Sequence, residues 1–91
     1  MLYLIIERSR NGDAAPVYAR FRERGRLAPE GLRYVDSWVT LDRTTCYQVM
    51  EAADAALVTE WTANWEDLVD FEVVPVTTSA VAAASAATEA T

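Results

Sequence analysis

Hydrophobic residues recur along this chain with two different spacings. Alternation at every second position predicts β-strands, and recurrence at every third or fourth position predicts amphipathic helices. The alternating segments are separated by two helical segments, so the predicted order is strand, helix, strand, strand, helix, strand. The predicted strands cover residues 1–7, 32–41, 44–52 and 71–77.

This order predicts an α+β fold of the ferredoxin-like βαββαβ type, with one four-stranded antiparallel sheet. Both helices of such a unit cover the same face of the sheet. A chain of 91 residues buries only a modest core. We therefore expect a second copy to cover the other face, which would make a homodimer of the dimeric α+β barrel type.

Residues that begin and end secondary structure support this order. Asp13 and Asp54 are predicted to cap the two helices, and Gly25 with Pro29 to mark the end of the first. Pro75 cannot donate a ladder hydrogen bond, so the last strand is predicted to lie at an edge of the sheet.

A hairpin turn at residues 42–43 predicts the register of the second and third strands. Trp38 then lies opposite Tyr47, Asp36 opposite Val49, and Tyr34 opposite Glu51. These six residues are expected to share one face of the sheet, because cross-strand partners point the same way. The other face then holds Val35, Ser37, Val39, Cys46, Gln48 and Met50.

The composition changes near residue 78. Residues 1–78 are expected to form one ferredoxin-like domain. Residues 79–91 are rich in alanine and carry one charge, so we expect a tail that forms a short helix or frays.

Charge and residue types exclude several functions. The net charge of −6 argues against a nucleic-acid partner, since phosphate binding needs a basic surface. The chain contains no lysine and no histidine, which removes Schiff-base chemistry, the usual general base and the commonest metal ligand. No metal-ligand spacing or phosphate-binding loop is present, so we expect no metal and no cofactor.

The single cysteine, Cys46, cannot form an intramolecular disulfide. Together with the lack of a leader or a membrane-spanning apolar run, this predicts a cytoplasmic protein with no membrane partner. Cys46 is expected to be a small buried residue and not a nucleophile, because no histidine is available to activate it.

Polar and aromatic residues on the predicted strands and second helix are the candidates for binding chemistry. Asp36 is the one catalytic candidate. A carboxylate in a covered strand acts either as a proton-transfer group or as a structural hydrogen-bond acceptor. Trp61 and Trp65 form either a pocket wall or core. The arginines of residues 20–26 either bind an anionic ligand or, as we expect, form a solvated helix face that pairs with nearby acids. The candidate ligand-binding residues are Tyr34, Asp36, Trp38, Gln48, Trp61 and Trp65.

Several segments resemble a family of short bacterial proteins of unknown function. They are residues 6–8 (IER), 12–18 (GDAAPVY), 20–22 (RFR), 29–32 (PEGL), 34–38 (YVDSW), 46–51 (CYQVME), Trp61, 65–68 (WEDL) and 71–76 (FEVVPV). That family is similar to the dimeric α+β-barrel group, which implies a homodimer whose two sheets meet face to face. The wider group includes cofactor-free monooxygenases, haem-degrading enzymes, muconolactone isomerases and sensors, but the resemblance implies no activity here. The absence of histidine argues against the haem-binding branch.

Three hypotheses follow. The first is a small homodimeric binding or regulatory module with a small organic ligand between sheet and helices. The second is a cofactor-independent enzyme, monooxygenase-like or isomerase-like, with Asp36 as the proton-transfer group. The third is a homodimer with a purely structural role.

Overall fold

The computed structural model describes residues 1–89, and it contains four strands and three α-helices in this part of the chain. The sheet order is β2-β3-β1-β4 and every neighbouring pair is antiparallel. This confirms the predicted α+β, ferredoxin-like arrangement. The elements are β1 Leu2–Ser9, α1 Ala15–Arg24, β2 Arg33–Val39, β3 Thr45–Glu51, α2 Ala55–Ala63, β4 Val69–Val76 and α3 Ser79–Glu89, with a 3-10 turn at Arg10–Gly12.

Local side-chain chemistry determines where the helices begin and end. The carboxylate of Asp54 accepts a hydrogen bond from the backbone N–H of Ala56 at 2.9 Å, as an N-cap does. Asp13 accepts from the N–H of Ala15, the first residue of α1, at 3.0 Å. The N-cap position itself is Ala14, so the prediction that Asp13 is the N-cap is wrong by one residue. Helix α1 ends at Arg24 because Gly25 adopts φ +70°, a conformation that other residues rarely take.

Strand β4 lies at one edge of the sheet, beside β1, as Pro75 predicted. Pro75 is opposite Tyr3 in the ladder. Its missing N–H is tolerated because β4 has a neighbouring strand on only one side.

The β2–β3 hairpin confirms the predicted register near its turn. Residues 41–44 form the loop, and the N–H of Thr40 donates to the carbonyl of Thr45 at 2.9 Å. Asp42 organises this loop by accepting from the hydroxyls of Thr40 and Thr44 at 2.7 and 2.8 Å and from the N–H of Thr44. These donors lower the pKa of Asp42 to about 2.

A β-bulge displaces the far end of β2 from the predicted register. Trp38 is opposite Tyr47 and Asp36 is opposite Val49, as predicted, but the pairing shifts by one residue before Asp36. Tyr34 is therefore opposite Met50, and the predicted pairing of Tyr34 with Glu51 is wrong. The extra residue reverses the face of the sheet to which the side chains before it point. Tyr34 therefore lies on the helix-covered face.

The core lies between α2 and the helix-covered face of the sheet. Ile5 and Met50 are fully buried on the two central strands. The other buried members of this cluster are Tyr3, Leu32, Ala52, Val58, Trp61 and Trp65. Helix α1 contributes no buried residue, so it covers the sheet more loosely than α2 does.

The opposite face of the sheet, which we call the open face, has no cover in the described part of the chain. Trp38 is 58 % exposed and Tyr47 is 39 % exposed on this face. The half-buried apolar residues around them are Leu2, Leu4, Ile6, Val49, Val74 and Val76. Strand β1 is therefore apolar on both faces but covered on only one of them within one chain.

The alanine-rich tail forms α3, but it does not cover the open face. All residues at 79–88 are exposed, whereas a packed cover would bury one side of the helix. The frayed end expected after residue 89 lies outside the described residues. No helix of residues 1–89 is long and apolar enough to cross a bilayer.

Candidate functional site

A cleft of about 180 Å³ lies between the sheet and the loosely packed helix α1. Its floor is formed by strands β1 and β3. Tyr18 and Phe21 of α1 form one wall, and Trp61 and Trp65 of the α2 region form the other. Tyr18 and Phe21 are 40 % and 45 % exposed, so the mouth of the cleft is bordered by large aromatic side chains that the core does not use.

The floor of the cleft carries the acidic group of the site. The alternation of β1 places Glu7 on the same face as the buried residues Tyr3 and Ile5. Cys46 is directly opposite Glu7 on β3, and Gln48 is opposite Ile5. Three polar side chains, those of Glu7, Cys46 and Gln48, therefore share the floor of an otherwise largely apolar cleft.

Glu7 is an unusual carboxyl group. Burial raises its pKa from 4.5 to about 7, although the hydrogen bond with the Cys46 thiol and the positive charge of Arg26 act in the opposite direction. Its Oε2 atom is buried and has no hydrogen-bond partner. A carboxyl group that titrates near neutral pH can accept or release a proton under ordinary conditions.

The Cys46 thiol is correspondingly unreactive. Burial, with the adjacent carboxylate of Glu7 as the next cause, raises the pKa of the thiol to about 12. Cys46 therefore remains protonated at neutral pH. This agrees with the expectation that it is not a nucleophile.

Arg26 connects the two sides of the cleft. Its backbone carbonyl accepts hydrogen bonds from the indole Nε1 of both Trp61 and Trp65, each at 2.9 Å. Its guanidinium donates to Oε1 of the buried Gln48 at 2.7 Å and lies 4.0 Å from the ring centroid of Tyr34. The two tryptophans are thereby fixed in orientation, and a positive charge is held beside the cleft.

The side chain of Arg20 on α1 contacts the segment that follows α2, residues 64–67. Its guanidinium forms two parallel hydrogen bonds to the carboxylate of Asp67, each 2.7 Å, and a third to the carbonyl of Asn64 at 3.0 Å. It also lies 5.6 Å from the ring centroid of Trp65. The hydrogen bond with Asp67 raises the pKa of Arg20, and its counterpart lowers the pKa of Asp67. Because α1 has no buried residue and only Val17 packs against the core, we expect this contact to restrain the wall of the cleft.

The structure divides the candidate residues from the sequence into two groups. Gln48, Trp61 and Trp65 line the cleft. Tyr34 is beside it, where its hydroxyl bonds to the hydroxyl of Ser37 at 2.8 Å and its ring faces Arg26. A role of these residues in ligand binding stays a prediction.

Asp36 and Trp38 lie away from the cleft, on the open face of β2. Asp36 is exposed, and its Oδ1 accepts from the backbone N–H of Ser37 at 2.8 Å. Within one chain Asp36 is not a buried carboxylate, because it points to the open face of the sheet. Asp36 does not share a pocket with Gln48, Trp61 and Trp65.

Glu7 and Arg26 are among the cleft residues that the ligand-binding candidates from the sequence did not include. Glu7 could have been found, because it is a charged residue in phase with the apolar residues Tyr3 and Ile5 of its strand. Arg26 could not, because the helical pattern assigns it to a solvated face. In the structure α1 has ended before Arg26, so the chain turns its side chain toward the sheet.

A family model described as Domain of unknown function (DUF3303) matches residues 1–90. The chain therefore belongs to this family. No curated protein and no solved structure matches it. Family membership gives no activity, so the function has to be argued from the cleft and the open face.

Proposed function

We propose that this member of the DUF3303 family is a small homodimeric binding module that holds a small organic ligand in the cleft between the sheet and α1. The observation that carries the proposal is the combination of a largely apolar, aromatic-walled cleft with the Glu7 carboxyl on its floor, whose Oε2 atom has no hydrogen-bond partner. Ligand sites in proteins have this composition: mostly apolar walls with a few polar groups that orient the ligand.

The size of the cleft limits the ligand. Its volume of about 180 Å³ is close to that of an engineered protein cavity of about 150 Å³ that binds benzene. A molecule with one ring and a small substituent therefore fits, whereas a nucleotide or a haem group does not.

Binding in the cleft can be tested with a variant that fills it. Val39 lines the cleft from the edge strand β2 and is 43 % exposed, so Val39→Trp adds volume there without disturbing the core. Val35→Trp is the matched control, because Val35 is 42 % exposed on the same strand but does not line the cleft. We expect one-ring aromatic probes to shift the amide resonances of wild type and Val35→Trp, and not those of Val39→Trp. Equal shifts in all three proteins would contradict the proposal.

The homodimer is proposed to form through the open face, with a second copy of the chain as the partner. Four strands of seven or eight residues give this face a footprint on the order of 500 Å². Side-chain relief brings the accessible area toward the roughly 800 Å² per partner of a standard interface. The apolar centre of this face is a contiguous patch of the kind that marks an interaction site.

The charges at the borders of the open face suit a symmetric contact. Arg33 pairs with Glu51 at 2.8 Å, and Arg8 pairs with Glu72 at 3.4 Å. Both signs are present around the apolar centre, so a two-fold related copy can place acids against bases. Sedimentation equilibrium at micromolar concentration tests this, and a stable monomer would overturn the dimer.

A second candidate function is a cofactor-independent enzyme that moves a proton, with Glu7 in the role first expected of Asp36. A base with a pKa of about 7 in an apolar cleft favours this reading. It predicts that the protein catalyses deuterium exchange beside the carbonyl of a small aryl ketone such as acetophenone. The rate should rise through an inflection near pH 7, and Glu7→Gln should abolish it. Exchange no faster than in buffer would remove this candidate.

The proposal includes a cytoplasmic, bacterial setting. The single free thiol, Cys46, supports a reducing compartment, which keeps such thiols unpaired. The bacterial source rests on the family resemblance of the sequence. Detection of the native protein in cell fractions tests both.

A further inference from the structure

We infer that the ligand of the cleft is a one-ring aromatic molecule with a single hydrogen-bond donor, such as a phenolic hydroxyl, that meets the carboxyl of Glu7. This inference rests on the proposed function of the cleft and specifies the chemical class of its ligand.

The unpartnered oxygen of Glu7 decides what kind of polar group the ligand carries. Among the described residues, Oε2 of Glu7 is the one buried side-chain nitrogen or oxygen without a hydrogen-bond partner. A buried acceptor in that state costs free energy, which a partner recovers. Above its pKa of about 7 the Glu7 carboxyl is ionised and only accepts hydrogen bonds, so at pH 8 the matching group on a ligand is an N–H or O–H.

The amide of Gln48 and the indoles of Trp61 and Trp65, which line the cleft with Glu7, are already engaged. Gln48 accepts from Arg26 through Oε1, and its Nε2 lies 3.3 Å from the sulfur of Met50. The indole N–H groups of Trp61 and Trp65 donate to the carbonyl of Arg26. These groups shape the cleft, and Glu7 remains as the acceptor for a ligand.

The geometry allows the contact. Glu7 lines the cleft, and the last torsion of a glutamate side chain turns easily, so Oε2 can face a donor inside it. Phe21 and Trp65 also line the cleft, so a ring bound there would contact aromatic side chains. The cleft volume of about 180 Å³ leaves room for little more than that ring and one substituent.

Phenol and toluene form a probe pair of equal size that differs in one donor. Their affinities for wild type, Glu7→Met and Glu72→Met can be measured by NMR titration at pH 8. Glu7→Met keeps the volume of the side chain but removes the acceptor. Glu72→Met is the control: Glu72 lies on the open face opposite Ile6, on the other side of the sheet from the cleft.

The measured quantity is the ratio of phenol affinity to toluene affinity, because comparing this ratio between proteins cancels the different hydration of the two probes. We expect the ratio to fall about tenfold in Glu7→Met, the usual size of a hydrogen bond to a charged group. It should remain at the wild-type value in Glu72→Met. If Glu7→Met does not fold, Glu7→Gln replaces it, and the ratio should fall less because the amide oxygen still accepts.

Three other results would contradict either the hydrogen-bond donor on the ligand or binding in the cleft itself. If both probes bind in the cleft and the ratio is the same in all variants, the inference about the donor is wrong while the cleft remains a binding site. If benzoate binds more tightly than phenol, the polar contact is with a cleft arginine, Arg26 or Arg43, and not with Glu7, and the inference is again wrong. If no probe binds at millimolar concentration, the proposed function fails and the inference fails with it.

Discussion

The pH dependence of stability should reveal the buried carboxyl of Glu7 without any knowledge of the ligand. The pKa of Glu7 is raised from 4.5 to about 7 in the folded protein, mainly by burial. Between pH 4.5 and about pH 7, Glu7 holds a proton in the folded chain that it has released in the unfolded chain. The free energy of unfolding must therefore fall as pH rises through this window, and the lost part does not return above pH 7.

The magnitude follows from about 1.4 kcal/mol for each pH unit between the two pKa values. Wild type should lose about 2 to 3 kcal/mol of its free energy of unfolding between pH 5 and pH 8. This is an upper value, because Glu7 is half-buried and solvent screens part of the effect. For a domain of this size it is a large share of the total stability.

Other carboxylates do not obscure this window. The pKa values of Asp42, Glu51 and Asp67 are lowered by their hydrogen-bond donors. Groups of this kind stabilise the folded state above their unfolded pKa, and the contribution is lost as pH falls below about 4. Their effect is therefore complete before the window of Glu7 begins.

The assay is urea denaturation at several pH values, at one protein concentration because a dimer makes stability depend on concentration. Glu7→Gln cannot ionise, so its free energy of unfolding should change little between pH 5 and pH 8. Glu60→Gln, at an exposed position of α2, is the control and should follow wild type. If Glu7→Gln loses as much stability as wild type over this range, the argument from burial is refuted.

Three further predictions concern the open face, the attachment of α1 and the thiol. Ile6→Asp places a charge in the centre of the open face and should give a monomer in sedimentation experiments, whereas Leu41→Asp, at the fully exposed hairpin tip, should leave the dimer intact. Arg20→Ala removes the paired hydrogen bonds to Asp67. It should speed amide hydrogen exchange in α1, while exchange in the central strands stays slow. Unchanged exchange in α1 would show that the contact does not restrain the helix. Cys46 should react with iodoacetamide at pH 8 at least about a hundredfold more slowly in the folded protein than in urea. The reason is that a pKa of about 12 leaves little of the reactive thiolate in the folded protein. Similar rates in the two states would contradict the burial of this thiol.

The fold could be predicted from the sequence because its determinants are local. Alternation of apolar residues defines a strand, and capping residues such as Asp54 act on amides two or three positions away. Pro75 indicated an edge strand because the missing donor belongs to the residue itself. Each of these signals depends on near neighbours in the chain, and the structure confirms each of them.

The candidate site depended on contacts between residues distant in sequence, and the prediction was correspondingly less complete. Gln48, Trp61 and Trp65 do converge on one cleft, yet Asp36 and Trp38 lie on the other face of the sheet. The bulge before Asp36 moved Tyr34 to the helix side, a change that no alternation pattern contains.

What the sequence alone determined is therefore the order of the elements, the edge position of β4 and the two faces of the central strands, since these follow from periodicity and backbone chemistry. Only the tertiary structure decided that Glu7 lies beneath α1 with an unpartnered oxygen, and that Arg26 turns inward after α1 ends. The environment of a charged group depends on which distant surfaces exclude water from it, and such surfaces come together only in the folded chain.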